Sequence, residues 1–162
     1  MKYLFDTNIF ITAKNTYYAM DIAKTFWEYL ERDDINTKIM IIDMVYKEIK
    51  KGKDELATWM TKTFRNKIIL SSSDAIIKNY KHISETILQN DLYTKDAKDE
   101  FARVADSWLI AHAYHNNNCY IVTNETYDAN IKRRIKIPNV CKLFNIQCID
   151  LFKFMRNEKI IL

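Results

Sequence analysis

The chain has 162 residues, 48% of them hydrophobic and 13% aromatic, with a formal net charge of +4. That length suits one domain, residues 1–162, with a sizeable core, and the apolar content argues against disorder. No apolar stretch approaches the roughly 20 residues that a membrane-spanning helix needs, and the mild positive balance permits a nucleic-acid partner without demanding one.

Cys119, Cys141 and Cys148 are an odd number of thiols without metal-type spacing, so they read as buried, reduced side chains of a cytoplasmic protein. Met1-Lys2 leads directly into an apolar run with no signal-type segment, so secretion is not expected. Gly52 and Pro138 are the only residues of their kinds, which leaves most turns to Asn, Asp, Ser and Lys.

Short apolar runs alternate with helical patterns along the chain, which predicts an α/β fold with a mainly parallel sheet. The first strand is Tyr3–Phe5, and Asp6-Thr7-Asn8 then opens a helix over Ile9–Lys14, with a second over Met20–Glu31. A strand at Ile39–Ile42 leads to Asp43 as an N-cap and a helix over Met44–Lys51. Within that helix Glu48 falls on the apolar arc of Met44, Val45 and Ile49, where it either turns inward or reaches out from the edge. A helix over Glu55–Thr63, a strand at Ile68–Leu70 and a Ser73-capped helix over Asp74–Gln89 follow.

The periodicity next predicts one helix over Glu100–Asn116, in which Asp106 lies on the apolar face between Ile110 and Ala113. Asn116-Asn117-Asn118 should end it, with Asn tolerating the left-handed conformation. The strand Tyr120–Thr123 runs into Asn124-Glu125, and Pro138 prepares a helix over Val140–Phe144. The strand Gln147–Ile149 and an Asp150-capped helix over Leu151–Asn157 close the pattern.

Ligands of open parallel sheets bind beyond the carboxyl ends of the strands. Asp6 follows the first strand and Glu125 the fourth, while Asp106 belongs to the helix that leads into the fourth, so all three should reach one edge. Capping would account for Asp6 equally well, except that Thr7 or Asn8 could do that work. Two carboxylates about 4 Å apart repel by ~4 kcal/mol at an effective dielectric of about 20, so a cluster needs protons or cations. Oxygen ligands without His or Cys select Mg²⁺ or Mn²⁺ over Zn²⁺, and such ions serve water-driven phosphodiester chemistry.

Taken in order, Tyr3-Leu4-Phe5-Asp6-Thr7-Asn8-Ile9-Phe10, Val45-Tyr46-Lys47-Glu48-Ile49, Asp106-Ser107-Trp108-Leu109-Ile110-Ala111 and Ile121-Val122-Thr123-Asn124-Glu125 resemble the PIN-domain ribonucleases over nearly the whole chain. Lys50–Leu56 and Ile135–Cys141 look like an uncharacterised bacterial and archaeal subgroup of them. The resemblance implies a three-layer α/β/α sandwich and Mg²⁺- or Mn²⁺-dependent hydrolysis of RNA. It also implies the toxin of a type II toxin–antitoxin pair, with a cognate antitoxin and a second copy of the chain as candidate partners.

Asp6, Glu48 and Asp106 match the family's three principal acids. The fourth, usually Asp, is Glu125 here, with Asn124 and Asp128 as competitors for the second metal position. Thr7, Asn8 and Thr123 match polar residues that orient the ligands, although capping would explain them too. Lys132, Arg133 and Arg134 follow the same edge and could hold RNA phosphates, or simply form a solvated charged segment. An RNA-processing or structure-selective DNA nuclease, and a non-catalytic nucleic-acid-binding module, are the competing functions.

Overall fold

The five apolar runs become five parallel strands in a computed structural model that describes all 162 residues. They are β1 (Lys2–Phe5), β2 (Ile39–Ile42), β3 (Ile68–Ile69), β4 (Cys119–Val122) and β5 (Cys148–Ile149), side by side in the order β3-β2-β1-β4-β5. Helices cover both sides of the sheet, giving the expected α/β architecture. Coverage of both faces is why β1 is apolar without a break after Lys2: Tyr3, Leu4 and Phe5 are all buried.

The helices are α1 (Thr7–Thr12), continued by a π-helical turn over Ala13–Tyr17, then α2 (Lys24–Glu31), α3 (Asp33–Asn36), α4 (Asp43–Lys51) and α5 (Glu55–Phe64). After β3 come α6 (Asp74–Leu88), α7 (Lys95–Phe101) and α8 (Ala105–His115), followed by α9 (Ile137–Leu143) and α10 (Leu151–Asn157). None is long and apolar enough to cross a membrane.

Alternation along β1 sends Tyr3 and Phe5 to one face and Leu4 to the other. The first face is aromatic. Tyr3 and Phe5 meet the Phe154 ring of α10 edge-on at 4.8 and 4.9 Å, and Phe5 stacks on Phe10 of α1 at 5.3 Å. Phe10 then meets Trp59 of α5, which meets Trp27 of α2 at 4.9 Å. Each such pair contributes about 0.5–1.5 kcal/mol beyond its buried area, so this side ties the early helices to the last one.

The strand order creates the site. The chain steps outward from β1 to β2 to β3, then crosses back to place β4 on the other flank of β1. The β1–β4 seam is therefore the switch point, where a crevice opens beyond the carboxyl ends of the strands. Register carries the seam one residue further: Phe5 pairs with Val122, and the Asp6 N–H donates to the Val122 carbonyl at 3.0 Å. Asp6 and Thr123 thereby emerge together.

The structure departs from the sequence pattern at several helix ends. The helix expected over Glu100–Asn116 is two, α7 and α8, separated by residues 102–104, and α7 begins at a Thr94 cap that the pattern did not suggest. Asp43 is not the N-cap of α4 but its first residue; its carboxylate accepts the Ser71 hydroxyl at 2.5 Å and pairs with Lys47 at 3.2 Å. The Asn116-Asn117-Asn118 turn needs no left-handed residue: Asn116 has φ −112°, and its side chain accepts the Asn118 N–H. Left-handed backbone occurs instead at Lys53, Asn145 and Lys159. Ser73 and Asp150 cap α6 and α10, and Pro138 stands in the first turn of α9.

Candidate acidic site at the carboxyl edge of the sheet

Asp6 is 1% exposed and holds the N-cap position of α1 itself, so capping is one of its tasks after all. Its Oδ1 accepts the Asn8 N–H at a long 3.3 Å, while Oδ2 accepts the Thr123 hydroxyl at 2.9 Å. Thr123 Oγ1 in turn accepts the Glu125 N–H at 3.2 Å. The β4 terminus thus fixes the orientation of the β1 carboxylate and directs the chain toward Glu125.

Glu48 reaches inward from α4. Its Oε2 accepts the Thr7 hydroxyl at 2.6 Å, and its Oε1 accepts the Ala105 N–H at 3.0 Å. That second bond makes Glu48 a capping group for α8, supplied from 57 residues away, where the local N-cap Val104 has no side-chain oxygen to offer. It also explains why the pattern broke at residues 102–104: the start of α8 is satisfied by a distant acid.

Asp106 lies in the first turn of α8, beside the positive end of the helix dipole. No group of the protein donates a hydrogen bond to its carboxyl. Burial, then the charges of Asp6, Glu125 and Glu48, push its pKa up to about 8, against a smaller downward pull from Arg134. Asp6 is pushed up to about 6, chiefly by burial, with hydrogen bonds from Thr123 and Asn8 opposing and the charges of Glu125 and Glu48 adding.

Asp6, Thr7, Asn8, Glu48 and Asp106 line one cavity of about 240 Å³, together with Glu100, Val104, Arg134, Ile135 and the end of α7. Glu125, expected as the fourth acid, does not line this cavity but is tied to it through Arg134: its Oε1 is bonded to the Arg134 guanidinium at 2.5 Å, and its Oε2 accepts the Ile137 N–H at 2.8 Å. Asp128 does not line the cavity; its carboxylate accepts the Asn130 N–H in a local turn. Asn124 is exposed and lines a separate crevice with Thr123, Glu125, Pro138 and Phe152. Lys132 and Arg133 are exposed in the loop before Arg134. Arg103 donates to the Asp99 carbonyl and does not pair with Asp106.

One member of this site, Glu100, gave no signal in sequence, and another, Arg134, was marked only as one of three basic candidates for RNA phosphates. Glu100 shows no apolar-face pattern that would mark it, because its helix ends at Phe101 and Asp106 belongs to the next. Arg134 stood in a basic run that distinguished none of its members, and only its bond to Glu125 turns it toward the acids.

The donor set suits a hard divalent cation. Every candidate ligand is a carboxylate oxygen, neither Asp6 nor Asp106 is paired with a lysine or arginine, and the Asp106 carboxyl faces an acid-lined cavity without a partner. No three of these side chains are already closed around a single point, so a cation would have to draw its ligands in and complete its shell with water.

Across 93% of this chain and 98% of the other, the fold is similar to a crystal structure of VapBC2 from Rickettsia felis bound to a DNA fragment from their promoter, with a TM-score of 0.51 at 19% sequence identity. At that identity the likeness concerns the fold. No curated protein matches the chain. With a family model that fits residues 3–162, the chain belongs to the family described as "Domain of unknown function (DUF4411)".

Proposed function

We propose that this protein is a PIN-like, Mg²⁺- or Mn²⁺-dependent endoribonuclease, with residues 1–162 acting as one catalytic unit and serving as the toxin of a toxin–antitoxin pair. The observation that carries this reading is the meeting of Asp6 and Asp106, a hundred residues apart, in one cavity with Glu48 and without a protein cation on either aspartate. Buried acids with a purely structural role are usually matched to a lysine or arginine, and neither aspartate has one.

Asp6, Asp106 and Glu48 would hold the ion, and Glu125 would contribute charge from outside the cavity. When bound, the ion supplies activation of water and neutralisation of charge on the phosphoryl group. The chain's own residues prepare for it. Thr123 and the Asn8 N–H aim the Asp6 carboxylate, and Thr7 aims Glu48. The proton held by Asp106 limits repulsion among the acids. Lys132 and Arg133, exposed in the loop next to the cavity, would attract the RNA backbone. The resemblance in fold to a VapBC2 complex supports an antitoxin as protein partner, in the cytoplasm, with a second copy of the chain as a further candidate.

The test is cleavage of total RNA by wild type and Asp106→Asn in Mg²⁺, with an EDTA control. Mg²⁺-dependent fragments from wild type alone are expected. Equal cleavage by a folded Asp106→Asn or Asp6→Asn protein would overturn the assignment.

A further inference from the structure

Arg134 differs from the basic residues around it. All three are exposed, but Lys132 and Arg133 form no ion pair, whereas Arg134 lines the acid cavity and bonds Glu125. Its backbone is held on both sides. The Thr94 N–H donates to the Lys132 carbonyl at 3.0 Å, and Ile135 and Ile137 are buried, at 4% and 0% exposure. Arg134 is therefore an exposed residue on an anchored loop segment at the cavity.

Glu125 orients this residue. Its side chain is 10% exposed against 54% for Arg134, so the acid is the fixed member of the pair. One oxygen is spent on the Ile137 N–H at the start of α9 and the other on Arg134. A carboxylate so engaged is poorly placed to join a metal shell but well placed to orient a guanidinium. One of the five guanidinium donors is used in this bond, which leaves others to face the cavity that holds Asp6 and Asp106.

We infer that Arg134, aimed by Glu125, is a phosphate-binding residue of the acidic site that works only once a divalent cation is in place. This rests on the proposed nuclease reading and names how the same site takes its phosphodiester. Asp6, Glu48 and Asp106 line the same cavity as this guanidinium, and Glu125 is bonded to it. In that company an anion is repelled until a cation offsets the acids. Once the acids are offset, Arg134 would donate to the phosphate, and the planar fork of Arg suits the two oxygens of a phosphodiester better than the ammonium of Lys. Lys132 and Arg133, further out, add attraction that does not depend on the metal.

The probe is a fluorescein-labelled single-stranded oligouridylate, with binding measured by anisotropy in EDTA and in Ca²⁺, itself a cation of oxygen ligands. Wild type is expected to bind more tightly in Ca²⁺ than in EDTA. Arg134→Gln should lose about 10- to 100-fold in Ca²⁺ and little in EDTA, the scale of a lost charge-assisted contact. Arg134→Lys should recover only part of this. Glu125→Gln should fall between wild type and Arg134→Gln, because the guanidinium remains but is no longer aimed. The Lys132→Gln/Arg133→Gln double variant should weaken binding by the same factor in both conditions. If wild type gains nothing from Ca²⁺, or Arg134→Gln keeps the full gain, or the double variant loses it selectively, the inference falls. Melting curves for each variant exclude unfolding, which is not expected for so exposed a side chain. RNA cleavage is not the readout, so the two ideas separate: a Ca²⁺ gain that needs Arg134 without RNA hydrolysis would sink the nuclease reading alone, and hydrolysis with the gain intact in Arg134→Gln would sink this one alone.

Discussion

Replacing Asp106 by Asn should make the metal-free protein more stable while abolishing its activity. Burial and the neighbouring acids push the Asp106 carboxyl up to about 8 in the folded chain, from an ordinary 3.8. The folded state therefore binds the proton more tightly, and stability falls as pH rises across the interval from 3.8 to about 8. At neutral pH about three units of that interval have been crossed, so ionisable Asp106 costs at most about 4 kcal/mol relative to a side chain that cannot ionise. Water entering the open cavity and the nearby Arg134 charge will screen part of this, which leaves an expected gain of about 1–3 kcal/mol. For a protein of this size that raises the melting temperature by roughly 3–10 °C. The assay is urea unfolding in EDTA near pH 5 and near pH 8. The variant should gain more at the higher pH, and Mg²⁺ should then stabilise wild type but not the variant, since only a native state that binds the ion profits from it. An Asp106→Asn protein no more stable than wild type near pH 8, or a gain that does not grow with pH, would refute the reasoning.

Glu48→Ala should destabilise the fold by about 1–2 kcal/mol, because it leaves the Ala105 N–H at the start of α8 and the Thr7 hydroxyl without their acceptor. Glu48→Gln keeps an acceptor oxygen and should restore most of that stability in urea unfolding, yet not metal-dependent cleavage. His112 is 4% exposed and bonded through Nε2 to Ser71 at 2.9 Å, with its pKa pushed down to about 4, chiefly by burial. The unfolded chain binds that proton more readily, so this residue's contribution is complete above about 6.5 and is lost as pH falls toward 4. The difference in unfolding free energy between wild type and His112→Gln should shrink over that window, by up to about 3 kcal/mol, and a difference independent of pH would count against a neutral buried imidazole.

Several features could be read from local chemistry because local chemistry causes them. The five strands are apolar runs because both faces of a parallel sheet are covered, and Ser73 and Asp150 cap their helices because a short oxygen side chain needs only the next turn of backbone. The errors have the opposite character. Asp43 is a good capping residue by type, but Ser71 and Lys47 compete for its oxygens. The pattern over Glu100–Asn116 is continuous in hydrophobicity, yet the backbone divides there because Glu48 supplies the missing acceptor from another helix.

From the sequence alone came the alternation of strands and helices, the parallel sheet and the expectation that Asp6, Asp106 and Glu125 share an edge, since strand ends and helix direction record where a side chain must emerge; Glu48 joined them through the family resemblance. Tertiary structure decided the rest: which oxygens are already taken, that Glu125 is tied to Arg134 and Ile137 while Asp106 has no partner, and that Asp128 and Asn124 lie elsewhere. Those outcomes depend on distances between segments remote in the chain. Hydrogen bonds and charges act through space at a few ångströms, and no local pattern of residue types encodes that separation.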